Sequence, residues 1–136
     1  MPIFLLPAHP GSGSLRLMFT AIGNPPPGVL AIEAIGKVTE ADYRSWMPVL
    51  REAITTHGSI RLLARFGPEY THTTRRGMLW DAMSVDALGA GITRFAMLTD
   101  HELIRMTFEQ VFPLPKDDRR VFASTALDDA WAWLLE

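Results

Sequence analysis

The chain has 136 residues, 48% of them hydrophobic and 21% charged, with a formal net charge of -2. That length suits one domain with a single core, and the charge balance lacks the basic stripe that nucleic acid demands. Cysteine is absent, which excludes disulfides, thiol catalysis and cysteine-ligated metals.

Residues 1–7 are apolar but too short for a secretory signal core, and no basic flank precedes them. No run approaches the roughly 20 apolar residues of a membrane span. The expectation is a soluble, cytoplasmic protein. Residues 1–14 contain Pro2, Pro7 and Pro10, then Gly11-Ser12-Gly13-Ser14. They predict a flexible leader, with the folded domain over 15–136.

In residues 15–22, Leu15, Leu17 and Phe19 alternate against Arg16 and Met18, a strand pattern. Asn24-Pro25-Pro26-Pro27-Gly28 must turn, because consecutive prolines supply no ladder donors. Residues 29–35 form a second strand, most simply antiparallel to the first. After Gly36-Lys37-Val38 a long amphipathic helix begins. Thr39 is its expected N-cap, with Asp42 reaching back as in a capping box. Tyr43, Trp46, Met47, Leu50, Ala53, Ile54 and His57 make one apolar stripe. Pro48 is expected to bend this helix and Gly58 to stop it.

Residues 60–66 are nearly all apolar, as in a strand covered on both faces. Gly67-Pro68-Glu69 breaks it, and Thr71-His72-Thr73-Thr74 is read as a loop into a helix over 75–88. Met78, Leu79, Ala82, Met83 and Val85 supply its buried side, and Gly89-Ala90-Gly91 ends it. Residues 93–98 form the next strand. Thr99 and Glu102 read as a second capping box, opening a helix to about 112 with Ile104, Phe108, Val111 and Phe112 inward. Pro113 and Pro115 stop it. Residues 120–123 are the last strand. Ser124 or Thr125 is expected to cap a final helix, with Asp128 and Asp129 in its first turn. Leu127, Ala130, Trp131 and Leu134 form its apolar edge. The order is ββαβαβαβα. It predicts an α/β domain with a mostly parallel five-stranded sheet, right-handed crossovers and an antiparallel first strand.

An ordered set of residues resembles the SpoIIAA-like group, with the STAS-type fold of anti-sigma-factor antagonists. The set is Gly36-Lys37-Val38-Thr39 with Asp42-Tyr43, Pro48 and Leu50, then His57 through Leu63. Trp80-Asp81, Arg94-Phe95-Ala96, Asp100, Phe112-Pro113 and Ala130-Trp131-Ala132-Trp133-Leu134 complete it. The resemblance covers about residues 28–135. It implies a single-domain (βα) superhelix, related to the lipid-carrying CRAL-TRIO domains, and no enzymatic activity. STAS antagonists carry a phosphorylatable serine after an aspartate, at the start of the helix following the third strand. This chain offers Thr71, Thr73 and Thr74 there instead.

No signature of an enzyme stands in the chain: there is no G-x-S-x-G, P-loop, G-x-G-x-x-G or H-E-x-x-H. The four histidines are scattered, and no cofactor or metal is expected. Ligands favour the carboxyl ends of strands in an open α/β sheet. The tips after Phe66 and Leu98 are therefore expected to open onto one rim. Thr71, His72, Thr73, Thr74, Arg75, Arg76, Asp100 and His101 would form it, with Trp80 and Asp81 either packing in the core or lining a neighbouring pocket. Arg75 and Arg76 in a first helical turn oppose the helix dipole unless an anion lies between. Threonine capping beside a solvated arginine pair accounts for the same residues. Trp131 and Trp133 are two apart on a helix and do not share a face. Trp133 is therefore expected to face outward, at the interface of a homodimer.

The function expected from these features is a non-enzymatic STAS-like binding or regulatory module for a protein partner or a small amphipathic or anionic ligand. A carrier of an apolar, lipid-like ligand is the alternative, and it requires an enclosed apolar cavity. An enzyme using His72, Asp100 and His101 is a third reading, and it requires those side chains within hydrogen-bond reach of one another.

Overall fold

A computed structural model describes residues 19–77, 91–111 and 114–136. The expected leader, most of the helix over 75–88 and the pair Trp80 and Asp81 lie outside the described residues, as do Phe112 and Pro113.

Five strands form the main sheet: β1 (Phe19–Ala21), β2 (Val29–Ala34), β4 (Ile60–Phe66), β6 (Ile92–Thr99) and β7 (Arg119–Phe122), in the spatial order β1-β2-β4-β6-β7. The β1–β2 pair is antiparallel and every other pair is parallel. This is the sheet that the alternation of strands and helices predicts.

Side chains alternate across the sheet, so each strand feeds two cores. Leu30, Ile32, Leu62, Ala64, Phe95 and Met97 pack on one face, beneath α1 (Glu40–His57) and α2 (Glu102–Val111). Val29, Ala31, Leu63, Ala96 and Leu98 pack on the other, beneath Ala130 and Leu134 of α3 (Leu127–Leu134). In β6 an extra residue interrupts the alternation. Ile60 pairs with Ile92 but Arg61 pairs with Arg94, so Thr93 bulges between them. The bulge returns Phe95 to the same core as Ile92.

α1 begins as expected. The Thr39 hydroxyl accepts from the Asp42 amide at 3.3 Å, and the Asp42 carboxylate accepts from the Thr39 amide at 2.7 Å. Gly58 ends the helix at φ 82°, a conformation that costs a side-chain-bearing residue strain. Tyr43, Trp46, Met47, Leu50 and Ala53 are buried. Val49 joins them, so the apolar stripe is broader than the sequence pattern implies, and His57 at the frayed end is exposed.

Three expectations change. Thr71, His72 and Thr73 are not in a loop. They belong to β5 (Tyr70–Thr73), which pairs in parallel with β3 (Gly36–Val38) as a second, two-stranded sheet. Gly36, at φ 69°, lets the chain leave β2 and start β3, and its amide donates to the Glu69 carbonyl at 2.6 Å. The Thr74 amide closes the other end on the Val38 carbonyl at 2.9 Å. The β-branched threonines suit this short exposed ladder.

Thr99 does not cap α2. It is the last residue of β6 and is buried, its hydroxyl donating to the Phe66 carbonyl at 3.1 Å and accepting from the His101 amide at 3.0 Å. Ser124 and Thr125 do not cap α3 either. Ala126 holds the cap position without a side-chain bond, and Ser124 turns instead to Asp100. In both cases a buried polar side chain meets a partner from a neighbouring strand or loop, a choice invisible to local spacing.

Candidate functional site

The tips following β4 and β6 lie at the same end of the sheet, and Tyr70 joins them. Its ring stands edge-on to Phe66 at a centroid distance of 4.9 Å and edge-on to His101 at 5.2 Å. Tyr70 is buried, while Thr71, His72 and Asp100 are exposed and His101 is half-buried. Offset edge-to-face pairs of this kind add to the burial of the rings. The contact fixes the spacing between the β5 segment and the Asp100–His101 turn.

Along β5, the Tyr70 and Thr73 hydroxyls share a hydrogen bond at 2.7 Å. The Thr74 hydroxyl accepts from the Gly77 amide at 3.0 Å and so caps the helical turn at residues 75–77. A Cβ at Gly77 would lie 2.9 Å from Thr73 Cγ2 and 3.2 Å from the Val38 carbonyl oxygen. The turn is therefore pressed against β3 in a way that only glycine permits.

The arginine pair is divided. Arg75 is exposed. Arg76 reaches Glu40 in the first turn of α1 at 3.5 Å, and Arg44 reaches the same carboxylate at 2.6 Å. Glu40 is thus an anion beside Arg76 that the chain itself supplies. Both contacts lie at the surface, where such pairs contribute little to stability.

Asp100 faces Ser124 rather than the histidines. The Ser124 hydroxyl donates to Asp100 Oδ2 at 2.5 Å and the Ser124 amide donates to Oδ1 at 3.0 Å. The side-chain bond, then the amide bond, holds the Asp100 carboxyl below its ordinary pKa. The charges of His101 and Arg105 help, and partial desolvation opposes them. A depressed carboxylate pKa gives stabilisation that is complete above the unfolded value, about 3.9, and is lost as pH falls through the folded one. Wild-type protein is therefore expected to lose stability below about pH 4 more steeply than Asp100→Asn. Urea unfolding at a series of acidic pH values measures the difference, and parallel curves would contradict it.

His72 pairs in register with Lys37 on the small sheet, while the Asp100 carboxylate is engaged by Ser124. Among the described residues no group of three His, Asp or Glu side chains converges to hold a metal. Trp133 is half-buried. It packs 6.0 Å from Phe122, and the Arg94 guanidinium lies 4.7 Å over its ring. Trp131 packs against the same apolar cluster. Two tryptophans two apart can both be half-buried there because each flanks the buried Leu134 and Ala130 line.

Sequence reasoning missed Tyr70, although a lone aromatic after a Gly-Pro break and before four polar residues was a usable signal. It also missed Arg61 and Arg94. The Arg61 guanidinium donates to the Leu134 carbonyl at 2.5 Å and that of Arg94 to the Trp133 carbonyl at 2.7 Å, so two strand residues satisfy the end of α3. The absence of any basic residue in the last turn of that helix was the clue.

Two clefts flank these elements. One of about 370 Å³ lies at the opposite end of the sheet, between Pro26, Pro27, Ser59, Arg61, Thr93 and Leu135. Another of about 530 Å³ lies between α2 and β7, walled by Phe108, Glu109, Lys116, Arg119, Arg120 and Val121. Both open to solvent and both carry arginine, unlike the enclosed apolar chamber of a lipid carrier. No helix among the described residues is long and apolar enough to cross a membrane.

A family profile described as SpoIIAA-like matches residues 29–135. The chain belongs to the SpoIIAA-like family. No curated protein matches it. Solved structures share the fold. An uncharacterised protein with a SpoIIAA-like fold from Shewanella loihica PV-4 is 23% identical over 85% of this chain and 91% of its own, with a TM-score of 0.65. The anti-sigma factor antagonist SpoIIAA in its unphosphorylated form is 13% identical over 84% of this chain and 96% of its own, at 0.59. The phosphorylated form of the Bacillus cell fate determinant SpoIIAA is 14% identical over 82% and 96%, at 0.58. Beside its five-stranded sheet this SpoIIAA-like chain carries a small β3–β5 ladder, which holds Thr71, His72 and Thr73 of the rim.

Proposed function

We propose that this protein is a non-enzymatic regulatory binding module that takes a protein partner on the rim formed by β5 and the Asp100–His101 turn. The observation carrying this reading is the Phe66–Tyr70–His101 ring chain, which holds two separate tips as one surface. Pre-set spacing lowers the ordering cost of binding. Exposed Thr71, His72, Arg75 and Asp100 give that surface donors and both signs of charge, a composition suited to a polar protein epitope. The exposed Leu103 and Met106 on α2 extend it with apolar area. A related protein, SpoIIAA, is an anti-sigma factor antagonist, which supports a regulatory partner for this one.

Site-specific photocrosslinking tests the proposal in the cells that make the protein. A benzoylphenylalanine at Thr71 is expected to capture a discrete protein adduct. The same probe at Ser59, at the far end of the sheet, is expected to capture none. Arg75→Glu with Asp100→Lys is expected to abolish the adduct. Equal labelling from Thr71 and Ser59, or labelling indifferent to the charge reversal, would remove the rim as the binding surface. A parallel titration with inorganic phosphate against Arg75→Glu/Arg76→Glu identifies an anionic small-molecule occupant if only the wild-type protein binds.

A further inference from the structure

The parallel strands β2, β4 and β6 begin side by side at the end of the sheet opposite the rim. The cleft of about 370 Å³ lies there, a size within the usual range of small-molecule sites. Local backbone features shape its walls. The turn before β2 runs Pro26-Pro27-Gly28, with Gly28 at φ 82° and the Val29 amide closed on the Pro26 carbonyl at 3.1 Å. Thr93 stands on the bulge of β6, and its hydroxyl donates to the Ile60 carbonyl at 3.3 Å. Bulges re-aim side chains and recur next to functional sites. The exposed Leu135, just past α3, forms another wall.

Arg61 is the charged residue among those lining the cleft. It is half-buried, and one terminal nitrogen is fixed on the Leu134 carbonyl. A guanidinium carries five N–H donors in a planar fork. Among the described residues its Nε and second terminal nitrogen have no partner. The Leu134 bond therefore holds the plane of the fork without exhausting it. A fork held in place loses less freedom when it takes a ligand.

Ser59 lines the same cleft and is half-buried, and its hydroxyl has no partner among the described residues. No carboxylate stands among the lining residues, and Glu136 lies beside Arg94 instead. The cleft thus offers a positioned cation and a hydroxyl donor with no acid to compete for them. A carboxylate matches a guanidinium fork through two parallel hydrogen bonds. Pro26, Pro27 and Leu135 give a short alkyl body apolar surface to lie against.

We propose that this cleft binds a small aliphatic carboxylate, held by the Arg61 guanidinium and the Ser59 hydroxyl. The site is at the far end of the sheet from the rim, so it does not rest on the partner binding proposed above.

A nitrogen-15 NMR titration of the full chain with sodium propionate, at constant ionic strength, tests the proposal. Saturable shifts are expected at the Gly28, Ser59, Arg61 and Thr93 amides and not at Thr71 or Asp100. Propionamide, which has the same shape without the charge, is expected to bind at least about tenfold more weakly. Arg61→Gln is expected to lose the shifts. That variant also loses a contact to α3, so Ser59→Asp is the second arm. It leaves Arg61 in the chain, places an acid in the cleft, and is expected to weaken propionate at least about tenfold. The proposal is overturned if propionate gives no saturable shift up to about 50 mM, or if the shifts centre on the rim. It is equally overturned if propionamide or inorganic phosphate binds as tightly as propionate, or if Ser59→Asp binds like wild type.

Discussion

Leu63→Ala is expected to lower the stability of the domain by about 2–5 kcal/mol, towards the upper end of that range. Leu63 is fully buried in β4, the strand flanked by β2 and β6. Its register partners on either side are Ala31 and Ala96, both also fully buried. Leu63 is therefore the single bulky side chain in that row beneath α3. Truncation leaves three alanines side by side under Leu134 and Ala130. The cost of such a change depends on how far the surroundings collapse, and here they are held. Arg61 and Arg94 grip the end of α3 from the same sheet and keep the helix at its distance. Leu63→Met, which nearly conserves volume, is expected to cost less than about 1.5 kcal/mol. Urea unfolding of the two variants measures the contrast. A Leu63→Ala loss below about 1 kcal/mol would mean that α3 is not docked on this row.

The double variant Arg61→Met/Arg94→Met is expected to cost about 2–3 kcal/mol. The last carbonyls of a helix lack intrahelical partners and carry the negative end of its dipole. In α3 the guanidinium groups of Arg61 and Arg94 meet the Leu134 and Trp133 carbonyls. No basic residue in the last turn substitutes for them, although Asp128 and Asp129 serve the opposite end. Arg94 also covers the Trp133 ring, and its loss removes that cation–π contact. Methionine keeps much of the apolar stem, so the change isolates the charged head. The loss is expected to be local first. Amide hydrogen exchange in α3 should accelerate more than in β4 or β6. Equal acceleration across the sheet would show instead that the arginines act on the whole core.

The order of strands and helices was readable from the chain because periodicity is a local property. The largely apolar runs at 29–34 and 60–66 and the three- and four-residue steps of α1 each encode one element. Thr39 and Asp42 are close in sequence and do what their spacing says. The parallel sheet then follows from connection lengths and handedness. The SpoIIAA-like family was legible for the same reason, since its marks are ordered along these elements.

Other features depend on which strand lies beside which. Thr99 and Ser124 have the side chains of helix caps, but the sheet brings Phe66 and Asp100 to them, and a buried partner outweighs an exposed capping role. Thr71–Thr73 look like a loop until β3 arrives alongside to satisfy their backbone. Arg61 and Arg94, 33 residues apart in the chain, become one clamp because β4 and β6 place them opposite each other. Local pattern by itself determined the strands of the main sheet, the helices α1, α2 and α3, their order and the family. Only tertiary structure decided how the polar side chains at the sheet ends are spent, because each such group takes the partner that burial leaves nearest, whatever its distance along the chain.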